Sequence, residues 1–71
     1  MKIIEQKYYV VRVSTRTGKT EYKRTKCSDQ WTGASYKNNC WKFSYQGARG
    51  IVDRETKFRG WGYTYHMEPC R

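Results

Sequence analysis

The segment Lys7-Tyr8-Tyr9-Val10-Val11-Arg12-Val13-Ser14-Thr15 is the part of the chain that most clearly predicts a structure. β-Branched and aromatic residues dominate it, which is typical of a β-strand. The next residues, Arg16-Thr17-Gly18-Lys19, predict a tight turn, because glycine can take the positive φ that such turns need. Residues 20–26 then alternate in character as a second strand. This stretch therefore predicts a β-hairpin, from which the rest of the fold can be worked out.

The alternation within the hairpin predicts two different faces. With Thr17 and Gly18 at the centre of the turn, Val13 is expected opposite Tyr22, and Arg12 opposite Lys23. The side chains expected on the apolar face are Tyr9, Val11, Val13 and Tyr22. Those expected on the other, basic and outward-facing side are Arg12, Ser14, Glu21 and Lys23.

A loop, one helix and a last strand are predicted after the hairpin. Residues 27–39 are rich in Ser, Gly, Asn and Lys and predict a long loop, and residues 40–43 predict a short extended piece. Ser44 is a good N-cap for a helix that runs to about Thr56. The residues that follow its i, i+3, i+4 spacing are Tyr45, Ala48, Ile51, Val52 and Glu55.

The last strand is predicted from alternation between Trp61 and Met67, and Pro69 ends it. Its large side chains are interpreted as core, together with Tyr9 and Phe43. The predicted fold class is α+β. It has a small antiparallel sheet of three to four strands in the order β-β-(β)-α-β, with one helix packed on one face.

The length of 71 residues predicts a single domain, residues 1–71. Met1-Lys2-Ile3-Ile4-Glu5 lacks the apolar stretch of a secretory signal, and no run of residues is long enough to span a membrane. Three cysteines, an odd number, argue against a disulfide-stapled secreted protein. We therefore expect a cytoplasmic, intracellular protein with reduced thiols.

Charge is the strongest functional signal. Fifteen Lys and Arg against six Asp and Glu give a formal charge of +9, and such a surface attracts polyanions. The cations predicted to contact phosphate are Arg12, Arg16, Lys19, Lys23 and Lys26. The alternative is a solvated strand face that keeps a small protein soluble and blunts a sheet edge.

Aromatic residues make up 17% of the chain. Trp31, Tyr36 and Trp41 lie in or beside the polar loop, where an exposed ring commonly marks a binding site. We expect Trp31 or Tyr36 to add a stacking contact with a base. Two alternatives remain open: a protein partner for these rings, or a loop that folds back and packs Trp31 over the sheet edge.

Metal binding and catalysis have little support in the sequence. Cys27, Cys40, His66 and Cys70 contain no CxxC pair, and structural zinc ligands normally come in close pairs. His66 and Cys70 are four residues apart, too far for one metal if both lie on a strand. We expect no metal, no cofactor and no catalytic residue, and hence a protein that is not an enzyme.

The hairpin, its Thr17-Gly18-Lys19 turn and the helix beginning after Phe43-Ser44 resemble the arm-type DNA-binding domains of tyrosine recombinases. The resemblance covers residues 7–56 and implies a three-stranded sheet that lies in the major groove of DNA. The long polar loop and the strand after the helix depart from that pattern. In style the chain is also similar to short, basic, aromatic-rich bacteriophage proteins, many of which inhibit a host factor or sequester a nucleotide.

The function expected from these features is non-catalytic binding of nucleic acid, DNA or RNA, with the basic hairpin on the phosphate backbone. The alternative is a small interaction protein, of the phage-encoded kind, that inhibits a host factor or captures a nucleotide through its loop aromatics. Homodimerisation through an open sheet edge is a further alternative.

Overall fold

The predicted fold class is confirmed by a computed structural model, which describes residues 6–70. A four-stranded antiparallel sheet has the strand order β3-β2-β1-β4, and helix α1 packs against β1 and β4. The elements are β1 (Tyr8–Ser14), β2 (Thr20–Lys23), β3 (Trp31–Gly33), a 3₁₀ helix (Ala34–Asn39), α1 (Tyr45–Arg59) and β4 (Tyr63–Pro69). Within the described residues, no helix has the length and apolar character needed to span a membrane.

The hairpin forms, but its predicted register is wrong by two residues. Val11 lies opposite Tyr22, and Arg12 lies opposite Glu21. The turn is longer than predicted, because the amide of Ser14 donates to the Lys19 carbonyl at 3.0 Å and leaves four residues between them. Within this loop the amide of Gly18 donates to the Ser14 carbonyl at 2.9 Å. The Ser14 hydroxyl accepts hydrogen bonds from two further turn amides. Since the shift is an even number, each strand side chain keeps its predicted face.

The predicted long loop at residues 27–39 is wrong, because strand β3 and the 3₁₀ helix both lie within it. Trp31 pairs with Lys23 on β2, and Thr32 pairs with Tyr22. The indole Nε1 of Trp31 donates to a carboxylate oxygen of Asp29 at 2.7 Å, which ties the start of the strand to the preceding turn. A strand of only three residues leaves too little alternation to be seen against a polar background.

The helix begins where predicted and ends later. Ser44 is the N-cap, and its hydroxyl accepts from the amide of Gly47 at 3.2 Å. Ala48 is buried, while Ile51 and Val52 are half-buried, so these residues of the predicted face pack against the sheet, whereas Tyr45 is 47% exposed. The helix continues to Arg59, about one turn beyond the predicted end. Basic residues in its last turn favour this extension, because they interact well with the helix dipole.

Strand β4 contains part of the predicted core. Tyr65 is buried and Met67 is half-buried, but Trp61 is 87% exposed, so its assignment to the core is wrong. The reason is local: the amide of Gly62 donates to the Arg59 carbonyl at 3.1 Å, and the strand begins only at Tyr63. Trp61 therefore belongs to the turn between α1 and β4.

Both faces of the sheet carry apolar layers. On the side of α1, Val10 packs with Phe43 and Ala48. On the opposite side, Tyr9, Val11, Tyr22 and Cys40 form a second cluster, and Cys70 packs against it. The rings of Tyr9 and Tyr22 meet edge to face at 5.7 Å. The hydroxyl of Tyr22 donates to Glu68 at 2.9 Å.

This second layer predicts a loss of stability at alkaline pH. Burial, with the hydrogen bond to Glu68, raises the pKa of Tyr22 from 10.0 to about 12. The contribution of the neutral hydroxyl is therefore complete below pH 10 and is lost as the pH rises toward 12. We expect the free energy of unfolding, measured in urea, to fall over this interval, and to fall less in Tyr22→Phe. An equal fall in the variant would contradict this assignment.

Candidate functional site

Ion pairs account for every acidic residue between residues 6 and 70. Glu21 pairs with Arg12, and Glu68 pairs with Lys37. The remaining pairs are Asp53 with Arg49, Asp29 with Arg59 and Glu55 with Arg59. The positive charge left over is consequently not spread evenly, because it belongs to the cations without a carboxylate partner.

Seven exposed cations in the described part of the chain have no carboxylate within ion-pair distance. They are Arg16, Lys19, Arg24, Lys26, Lys42, Arg54 and Lys57. Three of them, Arg16, Lys19 and Lys26, belong to the cations predicted to contact phosphate. The positions of these seven cations relative to the exposed aromatic rings determine which surface can bind an anionic ligand.

Arg12 does not lie on an exposed outer face, and that prediction is wrong. Its Nε donates to Glu21 at 2.8 Å. Its guanidinium carbon lies 4.4 Å from the ring centroid of Trp31 and 4.3 Å from that of Tyr63. The side chain is held between two rings on the side of the sheet that α1 covers. Its Nε and its stacking faces are therefore already engaged within the fold.

The predicted outward-facing position of Lys23 is also wrong. It is only 6% exposed, and its ammonium donates to the Ser28 carbonyl at 2.8 Å. Burial lowers its pKa. The physical reason is shared with Arg12: the helix and the segment after β2 cover the face that alternation marks as polar. Apolar residues occur on both sides of β1, so alternation alone does not say which side the helix takes.

Trp31 is half-buried and belongs to the structural layer beside α1. Besides its hydrogen bond to Asp29, it meets the ring of Tyr65 edge to face at 6.0 Å. Of the alternatives open for this side chain, the structure shows the one in which it packs against the sheet. Asp29 in turn accepts from Arg59 at 3.0 Å, and these two hydrogen bonds lower the pKa of Asp29.

One surface brings exposed aromatic rings and free cations together. We call it the Arg24 surface, and it consists of Arg24, Lys26, Tyr36 and Trp41. Tyr36 is 62% exposed on the 3₁₀ helix, and Trp41 is 47% exposed just before α1. The Lys26 ammonium lies 5.8 Å from the ring centroid of Trp41. Lys26 and Tyr36 are thus brought onto one surface, whereas Arg12, Lys23 and Trp31 are not part of it.

Backbone hydrogen bonds hold this surface in place. Arg24 directly follows β2, and its amide donates to the Gln30 carbonyl at 2.8 Å. Its carbonyl accepts from the amide of Trp41 at 3.0 Å. Arg24 therefore fixes both the 24–30 segment and the extended segment before α1, and it orients the backbone that carries Lys26 and Trp41.

Two open depressions meet at Arg24. One, of about 220 Å³, is lined by Arg24, Thr32, Tyr36, Asn39 and Cys40. The other, of about 380 Å³, is lined by Arg24, Thr25, Lys26, Cys27, Ser28 and Trp41. Each has one exposed ring at its side, hydroxyl or amide groups, and a shared guanidinium. This arrangement can hold planar groups against the rings while the cations contact anionic oxygens.

The sequence-based prediction missed Arg24. In the run Lys23-Arg24-Thr25-Lys26 three of the four residues are cations, and nothing local distinguishes them. The end of β2 is the signal that could have identified Arg24, because the residue after Lys23 no longer lies on the face of the sheet that α1 covers. The position of Trp41 beside the polar loop marks it as a candidate in the sequence. Its contact with Arg24 is not predictable locally, because the two residues are far apart in sequence.

The three cysteines are free thiols, and each lies in a different environment. Cys27 is exposed in the larger depression, Cys40 is buried and Cys70 is half-buried. Burial raises the pKa of the Cys40 and Cys70 thiols. Within residues 6–70, no group of three or more His, Cys, Asp or Glu side chains is placed to hold a metal ion.

Comparison with protein-family models, with curated proteins and with solved structures gives no match for this chain. The function of the protein is therefore inferred from the chemistry of the surfaces described above.

Proposed function

We propose that this protein binds nucleic acid without catalysing a reaction on it, and that the Arg24 surface is its main contact. The observation that carries the proposal is the placement of two exposed rings, Tyr36 and Trp41, on either side of an unpaired arginine. Stacking on a ring and attraction to the phosphate backbone are the two interactions that non-specific nucleic-acid binding needs. An intracellular location is part of the proposal, because free thiols persist in reducing compartments.

The charge distribution supports this proposal more than the total charge does. Arg24 and Lys26 face solvent without a carboxylate partner in the described chain, so binding a phosphate requires no ion pair to break. Thr32 and Asn39 add donors around the smaller depression, whereas the hydroxyls of Thr25 and Ser28 bind each other in the larger one. Phosphate oxygens are commonly bound by such a mixture of arginine, lysine and neutral donors.

A major-groove mode like that of the arm-type domains has less support. It requires exposed cations along the strands of the sheet, yet Arg12 is paired with Glu21, and Lys23 is buried with its ammonium on the Ser28 carbonyl. Of the hairpin cations, only Arg16 and Lys19 in the turn remain exposed. The hairpin therefore contributes its turn, rather than a strand face, to the proposed interface.

The salt dependence of binding tests the proposal. With about three to four phosphates contacted, the log–log slope for a single-stranded oligonucleotide should lie between about −2 and −3. Arg24→Ala/Lys26→Ala should reduce its magnitude by about 1.4. Fluorescence anisotropy of a labelled oligonucleotide at several salt concentrations gives both values.

Arg54→Ala/Lys57→Ala is the matched control, because it removes two cations from α1 that also have no carboxylate within ion-pair distance, and it should leave the slope nearly unchanged. Equal slopes for both double variants would mean that only net charge matters and that the Arg24 surface is not the contact. No binding of any nucleic acid at low salt would favour the alternative, in which the rings capture a protein or a free nucleotide.

A further inference from the structure

Another exposed ring lies beside the turn of the hairpin. Trp61 is the most exposed large hydrophobic side chain in the described chain, at 87%. Its neighbour Gly62 accepts a hydrogen bond from the amide of Thr15 at 3.1 Å, and the Thr15 hydroxyl donates to the same carbonyl at 3.2 Å. These bonds join the turn before β4 to the turn of the hairpin. Trp61 is therefore presented from an anchored turn.

One uncompensated cation lies beside this ring, and a second lies in the same hairpin turn. Arg16 and Trp61 line an open depression of about 330 Å³, together with Ser14, Thr17, Gly62 and Tyr63. Lys19 closes the same hairpin turn, where its carbonyl accepts from the amide of Ser14 at 3.0 Å. We call Arg16, Lys19 and Trp61 the turn-end site. It repeats the combination of the Arg24 surface, an exposed ring with cations that no described carboxylate neutralises.

The two sites lie at opposite ends of β2. That strand begins at Thr20 next to the hairpin turn and ends at Lys23, immediately before Arg24. The rise per residue of a strand places Thr20 and Arg24 about 13 Å apart along it. The longest dimension of the molecule is 46 Å. A ligand that contacts both sites must therefore be extended.

We infer that the ligand is single-stranded nucleic acid that spans both sites, with an unpaired base stacked on Trp61 and its flanking phosphates on Arg16 and Lys19. This inference rests on the proposed function and specifies its ligand. Inside a duplex each base face is covered by its neighbours, whereas a single strand offers a free face at every base. Arginine suits the phosphate contact, because its planar fork can bind two oxygens at once.

Oligonucleotide length separates one contact from two. We would measure the affinity of the full chain, of Trp61→Ala and of Trp41→Ala for labelled oligothymidylates of 2 and 16 nucleotides. On the short strand, each variant retains one intact site and should lose about twofold. On the long strand, each should lose about 5- to 150-fold, the value of one stacked base, because the two contacts are then linked.

Phe58→Ala is the control for an exposed ring beside a cation outside both sites, since Phe58 is 66% exposed and the Lys57 ammonium lies 5.9 Å from its ring centroid. It should not weaken binding, and a loss as large as that of Trp61→Ala would overturn the stacking assignment. The midpoint temperature of unfolding of each alanine variant should match that of the unmodified chain, because the side chains of Trp41, Phe58 and Trp61 are all exposed.

Failure of this inference differs from failure of the proposed function. If Trp61→Ala binds the long strand normally while Trp41→Ala does not, the turn-end site is wrong and the Arg24 surface stands. If a blunt 16-base-pair duplex binds as tightly as the single strand, the choice of ligand is wrong and nucleic-acid binding stands. If the unmodified chain binds neither at low salt, both are wrong.

Discussion

Replacement of Arg12 by Ala should lower the free energy of unfolding by about 2–3 kcal/mol, a large share of the stability of so small a domain. The side chains of Arg12 and Glu21 are only 14% and 20% exposed, so Arg12→Ala leaves a carboxylate largely desolvated and without its partner. It also removes the cation that lies between the rings of Trp31 and Tyr63. The partial exposure of the pair keeps the expected loss below that of a fully buried one.

Thermal and urea unfolding measure this effect, and the midpoint temperature should fall by roughly 10–20 °C. Arg16→Ala is the matched control: it removes the same side chain from an exposed turn position and should change stability by less than about 0.5 kcal/mol. Arg12→Lys should recover part of the loss, because it restores the charge without the planar fork. If Arg12→Ala unfolds normally but binds nucleic acid much less tightly, Arg12 acts at the interface after all.

Removing both rings of the Arg24 surface should produce the largest loss of binding. Each base stacked on an aromatic ring contributes about 1–3 kcal/mol, so Tyr36→Ala/Trp41→Ala should weaken binding at least about thirtyfold. Both side chains are exposed, so the fold should be retained. Anisotropy with a labelled oligothymidylate measures the affinity, and circular dichroism checks the fold.

The ring-preserving variant Tyr36→Phe/Trp41→Phe is the control for stacking. It keeps a flat π face at both positions and should lose far less affinity than the double alanine variant. Unchanged affinity in the alanine variant would exclude the Arg24 surface as the stacking site. Equal losses in both double variants would instead point to the hydroxyl of Tyr36 and the indole N–H of Trp41 as the groups that matter.

The fold was predictable to the extent that local periodicity determines it. The density of β-branched and aromatic residues in β1 predicts the hairpin, and Ser44 predicts the start of α1; the structure contains both. The register was not predictable, because it depends on two turn amides that bind the Ser14 hydroxyl instead of forming a shorter turn. Strand β3 was not predictable either, since its three residues form a strand only by pairing with β2.

The candidate site was predictable in its chemistry and only partly in its residues. Lys26 and Tyr36 lie on the Arg24 surface, and both belong to segments where no apolar periodicity competes for the side chain. The predicted exposure of Arg12 and Lys23 is wrong for one shared reason. Alternation assigns a side chain to a face of the sheet, but the position of α1 decides whether that face meets solvent. The position of α1 depends on packing between segments that are distant in sequence. Val10, Phe43 and Ala48 form this packing on the side of the sheet that carries Arg12.

The environment of Arg12 also has a mechanical consequence. Arg12 lies on β1, its ion-pair partner Glu21 on β2, and the two rings that enclose it, Trp31 and Tyr63, on β3 and β4. The outermost strands are not neighbours in the sheet, yet both make contact with the same guanidinium. Loosening one edge strand removes a stacking partner from the cation and weakens its hold on the other edge. The two margins of the sheet are thereby coupled, and they should fray together rather than independently.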